Sequence, residues 1–199
     1  PEFSMRFRYS QKKSMNQYSA GIERNYNRER SIRITFRLIP EISNRTDIIN
    51  RIDNVSASTA SNRVREITSN KIISDFSYRP ERDIEVGFKF QVGRSIDDDP
   101  AIPTIINMNS QSIRFTLSLA GRGRLRAEFE RNELTENTNK NFLPFELTQG
   151  NVIGKNYFWS INFNYKLSDN LQSTLSYVGR LQGGERVVHT ARAEVRAYF

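Results

Sequence analysis

A strict alternation of apolar and polar residues, repeated in run after run, is the feature of this sequence that most constrains its fold. Across residues 84–92 every second residue is Ile, Val or Phe, and the residues between them are Glu, Gly, Lys and Gln. Because successive side chains of a β-strand point to opposite faces, such runs indicate strands with one apolar and one polar face. Further runs cover residues 3–9, 15–24, 32–38, 71–79, 113–119, 124–130, 156–167, 171–178 and 187–199. The pattern predicts an all-β, antiparallel, up-and-down protein of about ten strands with no long helix.

The connections between these predicted strands alternate in length. Short connections are predicted at residues 25–30, 80–83, 120–123 and 168–170, and longer ones at 40–70, 93–111, 132–155 and 179–186. Residues 46–68 are rich in Ser, Asn and Thr, which favours a loop. Consecutive antiparallel strands turn at opposite ends, so all short turns fall at one end of the sheet. Transmembrane β-barrels of the outer membrane have tight periplasmic turns and long external loops. The alternation of short and long connections therefore favours that architecture.

The apolar positions of the run at 156–167 are ordered along the strand. Tyr and Trp lie toward its ends, and Ile161 and Phe163 lie between them. Amphipathic rings settle at the two interfaces of a bilayer, so we predict an aromatic girdle that contains Tyr157, Trp159, Tyr165 and Tyr177. Strands of roughly 9 to 12 residues suit a tilted bilayer crossing. Lipid contact is predicted for Phe36, Phe88, Phe115, Phe129 and Phe163.

Composition excludes one membrane class and leaves an alternative open. Mean hydropathy is −0.64, and no apolar run approaches the ~18 residues of a spanning helix, whereas a barrel strand shows lipid only every second residue. The formal charge of +8 and the pI near 9.9 would also suit a soluble basic β-sandwich or barrel that binds nucleic acid or polyanions. Instead of forming a patch, the basic residues recur at alternate positions of the strand-like runs. We therefore favour the membrane barrel, with no nucleic-acid partner.

If the apolar face contacts lipid, the polar face surrounds a lumen. Lys89 and Asn162 are then expected to point inward. The lumen-facing charge network is predicted to contain Arg33, Arg37, Arg114, Arg124, Arg126, Glu128, Glu130, Arg192, Glu194 and Arg196. In a closed ten-stranded barrel these charges would fill the interior as a structural network. In a larger barrel the same arginines would line a water-filled wall that favours anions. Of the two interpretations, the sequence favours the structural network.

The C-terminal strand carries a resemblance to a known class. Its lipid-side positions are Ala193, Val195 and Ala197, and the chain then ends in Tyr198 and Phe199. A last strand of this kind resembles the insertion signal of bacterial outer-membrane proteins, which the barrel-assembly machinery reads. The turn at residues 165–171 and the ending at 192–199 are similar to the final segments of very large barrels of Bacteroidota and Chlorobi.

The resemblance implies an integral protein of the bacterial outer membrane with a structural or transport function. Outer-membrane lipid and the barrel-assembly machinery would be its partners, together with other envelope subunits or with upstream strands of the same protein. We interpret residues 1–199 as a single barrel domain or as the C-terminal segment of a larger barrel. No secretory leader is recognisable at the start, so a mature chain or a part of one is expected. The predicted first strand, residues 3–9, is too short to pair fully with the last, residues 187–199, which favours a larger barrel.

Residues for catalysis or metal binding are sparse. The chain has no cysteine and one histidine, His189, which the alternation places on the lipid side without an identifiable serine or acid partner. Residues 97–100 read Asp-Asp-Asp-Pro, but they lack the glycine and spaced acids of a calcium loop, so a solvated acidic loop is expected. Residues 121–124 read Gly-Arg-Gly-Arg and are expected to form a short turn instead of an RNA-binding segment. We therefore predict no enzymatic activity, no metal site and no cofactor.

Overall fold

The chain folds into one sheet of ten strands in which each strand pairs antiparallel with its sequence neighbours. The computed structural model describes residues 2–18, 21–57, 65–98, 103–137, 143, 145–148 and 150–198. The strands are β1 (Glu2–Tyr18), β2 (Gly21–Ile39), β3 (Ile42–Ala57), β4 (Arg65–Glu81), β5 (Ile84–Asp97), β6 (Thr104–Leu119), β7 (Gly123–Glu136), β8 (Gly154–Ser168), β9 (Leu171–Gln182) and β10 (Val188–Ala197). A four-residue helix, α1 (Phe145–Thr148), lies between β7 and β8. The predicted all-β, up-and-down architecture is confirmed.

The two ends of the sheet differ in their connections. At one end, called the tight-turn end, the strands are joined by residues 40–41, 82–83, 120–122 and 169–170. The turn at 120–122 places Ala120 at φ 41° and Gly121 at φ 73°, a left-handed conformation that glycine adopts without steric cost. At the other end, called the long-loop end, the connection between β7 and β8 runs from residue 137 to residue 153. At the same end only residues 19–20 separate β1 from β2, and the connection predicted at 93–111 is confined to residues 98–103, so the expected separation of short and long connections is present only in part.

The first third of the chain corrects the sequence-based boundaries. The loop predicted at residues 40–70 is wrong, because it contains all of β3 and the start of β4. The short connection predicted at 25–30 lies inside β2, and the strand predicted at 15–24 is interrupted, since β1 ends at Tyr18 and β2 begins at Gly21. β3 was missed because most of its apolar-face positions carry Asn, Thr or Ser. The prediction divided β1 and β2 into three strands and omitted β3, so the predicted total of about ten strands is still right.

Strand lengths also depart from the prediction. The strands run from 10 residues in β10 to 19 in β2, longer on the whole than the expected 9 to 12. The short first strand predicted at residues 3–9 is wrong, because β1 has 17 residues and exceeds the last strand. β1 is therefore long enough to pair with the whole of β10, and the length of the first strand gives no reason to expect a larger barrel. In the sheet β1 pairs only with β2, and β10 only with β9.

The two faces of the sheet have opposite chemistry and opposite exposure. On β6, Thr104, Ser110, Ser112 and Thr116 share one face and are buried, whereas Ile113 on the other face is 53% exposed. A single-layer sheet becomes less exposed on the face toward which it curves, so we assign the polar face to the inside of the curve. Residues that alternate with it form the apolar face, which includes all five phenylalanines predicted to contact lipid, Phe36, Phe88, Phe115, Phe129 and Phe163. The β-sandwich alternative is not supported, because the described strands form one sheet.

Paired residues step across the sheet with a large stagger. The ladder that starts at Glu2 of β1 passes through Arg37, Ser43, Ser77, Gly87, Arg114, Glu128, Ser160 and Val178 to Thr190 of β10. Glu2 lies at the tight-turn end of its strand, but Thr190 lies near the long-loop end of its own. Strands that close into a barrel must tilt and stagger in this way. The register is therefore that of a barrel wall.

The apolar face is divided along the strands into two zones. On β2 the apolar face carries Phe36, Ile34 and Ile32 in the half of the strand toward the tight turn, and the next two residues on the same face are Arg30 and Arg28. β1 and β6 change in the same way, from Phe, Met, Ile or Leu to Gln, Lys or Asn. We call the first zone the apolar belt and the second the polar rim. On β1 and β6 the belt covers residues 3–9 and 113–119, which is shorter than the roughly 9 to 11 residues that a tilted strand needs to cross a bilayer.

The polar face becomes apolar at the long-loop end, where α1 packs against it. Leu147 of α1 is 1% exposed and packs in a cluster with Ile67, Ile106, Met108 and Leu134 from β4, β6 and β7. The connection between β7 and β8 therefore folds inward over the sheet. Within the described part of the chain, no helix is long and apolar enough to cross a membrane.

Candidate functional site on the polar face

The register places all the residues of the predicted lumen-facing network on the polar face. Arg33 and Arg37 come from β2, Arg114 from β6, and the remaining residues from β7 and β10. Because pairing is antiparallel and in register, a residue on the polar face of one strand is paired with a residue on the polar face of the next. Lys89 and Asn162, also expected to point inward, lie on this face.

A continuous chain of ion pairs crosses five strands of this face. It is formed by Arg33, Asp47, Arg45, Asp75, Arg114, Glu85 and Arg79, and we call it the charge network. Successive N···O distances are 2.7 Å for Arg33 to Asp47, 3.8 Å for Asp47 to Arg45, 3.3 Å for Arg45 to Asp75, 3.7 Å for Asp75 to Arg114, 3.5 Å for Arg114 to Glu85 and 2.9 Å for Glu85 to Arg79. Each carboxylate therefore lies between two guanidinium groups.

A glycine makes room for the central arginine. Gly87 of β5 is paired directly with Arg114, and a Cβ atom at Gly87 would lie 2.8 Å from the arginine Nη2. The guanidinium therefore lies against the backbone of β5 at that position, with Asp75 and Glu85 on either side of it. Any larger residue at position 87 would displace it.

The two signs of charge differ in their access to solvent. The side chains of Asp47, Asp75 and Glu85 are 13%, 16% and 19% exposed, whereas those of Arg33 and Arg45 are 46% and 51% exposed. The carboxylates therefore lie low on the sheet and the guanidinium groups project above them. The surface that the network presents to its surroundings is cationic, although the network contains both signs.

The other predicted network residues form separate groups. Arg126 pairs with Glu128 at 2.9 Å, and Glu194 accepts from Arg192 and Arg196 at 3.2 and 2.6 Å. Arg37 pairs with Glu2 at 3.0 Å, and Glu130 accepts from Asn132 at 2.8 Å. Arg124 and Arg126 line a recess of about 420 Å³ with Glu128, Ser160, Asn162 and Asn164.

Sequence reasoning missed several members of the charge network. Arg45 and Asp47 lie on β3, which was interpreted as a loop, and their i, i+2 spacing was the available signal. Asp75, Arg79 and Glu85 lie in or beside recognised runs, and their role depends on the register between strands. Only Arg33 and Arg114 were predicted.

The predicted girdle residues lie on the apolar face, and one of them rests on a glycine. Tyr157, Trp159 and Tyr165 come from β8 and Tyr177 from β9. The indole of Trp159 lies over Gly179, because a Cβ there would be 2.1 Å from its Cε2 atom. Tyr165 stacks on Phe163 with ring centroids 5.9 Å apart.

The single histidine belongs to the same apolar-face group. His189 Nδ1 and the Tyr177 hydroxyl are 2.8 Å apart and form a hydrogen bond. The His189 ring also meets Trp159 edge-on, with centroids 5.9 Å apart. The histidine therefore joins an aromatic cluster on the apolar face, where the alternation predicted it.

The remaining predicted features have mixed outcomes. Ala193, Val195 and Ala197 share the apolar face of β10, and the Tyr198 backbone N–H donates to the Asn170 carbonyl at 2.9 Å; Phe199 lies outside the described residues. Asp97 was expected in a solvated loop, but it is the last residue of β5 and only 3% exposed. Residues 99–100 lie outside the described part, and among the described residues no group of three His, Asp or Glu could hold a metal ion. Residues 121–122 form a turn, as expected.

No protein-family model matches the chain, and no curated protein matches it in sequence. Solved structures do match in three dimensions. OmpT of Vibrio cholerae aligns with a TM-score of 0.58 and 12% identity, over 96% of this chain and 65% of the other. The NanC porin aligns with a TM-score of 0.50 and 9% identity, over 99% and 97%. The RagAB peptide importer aligns with a TM-score of 0.53 and 8% identity, over 97% of this chain and 32% of the other.

These identities are low, so the likeness concerns the fold. The chain spans 65% of the length of the OmpT chain and about a third of the RagAB chain. Each alignment covers at least 96% of this chain. The chain has the fold of bacterial outer-membrane β-barrels, and this fold, together with the exposed apolar belt, places it in the bacterial outer membrane.

Proposed function

We propose that this chain forms part of the wall of a water-filled outer-membrane barrel that favours the passage of anionic solutes and has no enzymatic activity. The observation that carries the proposal is the difference in solvent exposure between the carboxylates and the arginines of the charge network. Its carboxylates are shielded by the sheet, and its arginines are the exposed partners. A guanidinium stays charged at every physiological pH, so the wall keeps its positive potential.

The exposure of these arginines supports an aqueous interior over a filled one. Charged groups removed from water need full pairing, because an uncompensated buried charge costs several kcal/mol. In the charge network about half of the side-chain surface of Arg33 and Arg45 remains exposed. Rings of arginine and lysine select for anions in pores. A water-filled passage therefore suits these residues better than a tightly packed interior.

The edges of the sheet support a barrel wider than ten strands. β1 and β10 each have one hydrogen-bonded neighbour in the sheet, and an unpaired backbone group in lipid costs several kcal/mol. This chain covers 65% of OmpT and 32% of RagAB, as an arc of a wider barrel would, but it covers 97% of the NanC porin. We propose that further strands, from the same protein or from another envelope subunit, complete the wall. The resemblance to the final segments of large Bacteroidota barrels, which stays a prediction, would also imply a wider barrel.

Ion selectivity tests the function directly. The protein is reconstituted in a planar bilayer, and the reversal potential is measured across a KCl gradient. We expect chloride to permeate in preference to potassium, and we expect the preference to fall in the Arg33→Gln/Arg45→Gln variant. Arg131→Gln is the matched control, because Arg131 lies on the apolar face. Cation preference in the unmodified protein, or no change in the double variant, would contradict the proposal.

A cysteine cross-link tests the wider barrel. The chain has no native cysteine, so a disulfide can form only between introduced cysteines. Phe7→Cys on β1 is combined in turn with Ala193→Cys, Val195→Cys and Ala197→Cys on β10, all on the apolar face. We expect no disulfide within one chain under mild oxidation. A disulfide in any of these pairs would show that ten strands close on themselves.

A further inference from the structure

We propose that the polar rim of β1 and β2 binds the phosphate groups of a phosphorylated glycolipid in the leaflet at the long-loop end. The side chains that carry this inference are Lys13, Arg24, Arg28 and Arg30. Register places all four on the apolar face, in line with the apolar belt. The inference uses the membrane placement of the chain and does not depend on the proposed passage of anions.

The height of the cations along the strand identifies the headgroup region. Arg30 is the first apolar-face residue of β2 beyond Ile32, and it is paired with Tyr9, the last aromatic of the β1 belt. The guanidinium of Arg30 therefore lies where hydrocarbon gives way to headgroups. Arg28 and Arg24 follow on the same face, so the three arginines span about 20 Å of strand at ~3.3 Å per residue. A ligand with several phosphates at different depths matches this spread better than one with a single phosphate.

No opposite charge lies beside this patch. On the apolar faces of β1, β2 and β3 the described residues include no Asp or Glu. Elsewhere on the rim Arg131 is neutralised by Glu133, with an N···O distance of 2.6 Å. The Nε atom of Arg28 is buried and has no hydrogen-bond acceptor among the described residues. A buried donor without an acceptor is costly, and a phosphate oxygen is the strongest acceptor that a guanidinium finds at a membrane surface.

The upper part of the patch also has a suitable shape. Lys13, Arg24, Met15 and Tyr26 line a groove of about 520 Å³ on this face, which Asn54 and Ser56 of β3 complete. The Nζ atom of Lys13 lies 5.6 Å from the centroid of the Tyr26 ring. The groove thus combines two cations, amide and hydroxyl groups, and an aromatic face. Aromatic rings and small polar groups suit sugar, and the cations suit its phosphates.

Native mass spectrometry of the detergent-solubilised protein with purified lipid A tests the proposal. Lipid A carries phosphates on a sugar backbone, and its enzymatically dephosphorylated form is the matched neutral ligand. We expect the unmodified protein to retain lipid A and to release the dephosphorylated form. In Arg28→Gln/Arg30→Gln we expect binding about thirtyfold weaker, which corresponds to about 1 kcal/mol for each cation. Arg131→Gln should bind as the unmodified protein does.

Three results would overturn the proposal. The first is equal retention of lipid A and its dephosphorylated form, which would mean that acyl chains alone hold the lipid. The second is an unchanged affinity in the double variant. The third is displacement of lipid A by an equal concentration of inorganic phosphate, which would indicate a site for free phosphate. If the double variant fails to show the folded gel mobility of the unmodified protein, Lys13→Gln/Arg24→Gln at two exposed positions tests the same patch. Conductance measured on the same variants keeps this outcome separate from that of the proposed passage.

Discussion

Replacement of Gly179 by alanine should displace the indole of Trp159 from the surface of β9. The added Cβ would lie 2.1 Å from Cε2 and 2.3 Å from Nε1 of the ring. Non-bonded carbon atoms rest at about 3.5 to 4.0 Å, so the ring must move by more than about 1 Å or adopt another rotamer. In either case its edge-on contact with His189 is disturbed.

The expected cost follows from these distances. Adding a methyl group to a well-packed site costs about 1 to 3 kcal/mol, and loss of an aromatic pair costs about 0.5 to 1.5 kcal/mol. The ring lies at the outer surface of the sheet and can move toward lipid, which limits the penalty. We therefore expect Gly179→Ala to lower the free energy of unfolding by about 1 to 3 kcal/mol.

Two measurements check the prediction. Trp159 is the only tryptophan of the chain, so a shift in emission maximum reports its displacement without interference. Urea unfolding in lipid vesicles, followed by the strand signal in circular dichroism, gives the stability. Gly87→Ala is the control, because its Cβ would meet the flexible end of Arg114 on the polar face and should leave the emission unchanged.

A double-mutant cycle can refute the reasoning. If the cost arises from contact with the indole, Gly179→Ala should be nearly neutral in a Trp159→Ala background. An equal loss of stability in both backgrounds would show that the alanine acts through the backbone of β9 instead.

The remaining predictions concern lipid contact, topology and the inward connection. Phe163→Arg should cost about 2 to 4 kcal/mol near the bilayer midplane in vesicle unfolding, whereas Asn162→Arg on the polar face should change stability little, and equal costs would reverse the face assignment. Cysteine at Asp98 should react with an impermeant label on intact cells and cysteine at Asp169 should not; the opposite labelling would invert the orientation. Leu147→Ala should remove the α1 anchor from its apolar cluster and speed proteolysis within residues 137–153, while unchanged cleavage would show that Leu147 does not hold the connection.

The alternation allowed prediction of which way side chains point wherever it was regular. Arg114, Glu128 and Arg196 lie on the face that the pattern predicted, because a period of two fixes the face of every residue in a strand. It failed on β3, where Asn44 and Asn50 occupy positions of the apolar face. Without an apolar stripe, a strand cannot be distinguished from a loop by periodicity alone.

The composition of the site depended on information that one strand does not contain. The pairing of Arg45 with Asp75, and of Arg114 with both Asp75 and Glu85, follows from the register of four strands. The packing of Leu147 against residues of β4, β6 and β7 likewise depends on how the long connection between β7 and β8 folds. Sequence patterns predict faces, whereas contacts between strands require the register.

The polar rim has a consequence for how this protein meets molecules outside the cell. On β1 the rim begins at Gln11 and continues to the end of the strand at Tyr18. Eight residues at ~3.3 Å, tilted by about 40°, carry the strand roughly 20 Å beyond the hydrocarbon. If the long-loop end faces outward, these strand ends form a collar above the headgroups, and α1 packs against its inner face. A soluble macromolecule would then meet the collar first, and a small solute would travel that distance through the collar before it reached the depth of the membrane.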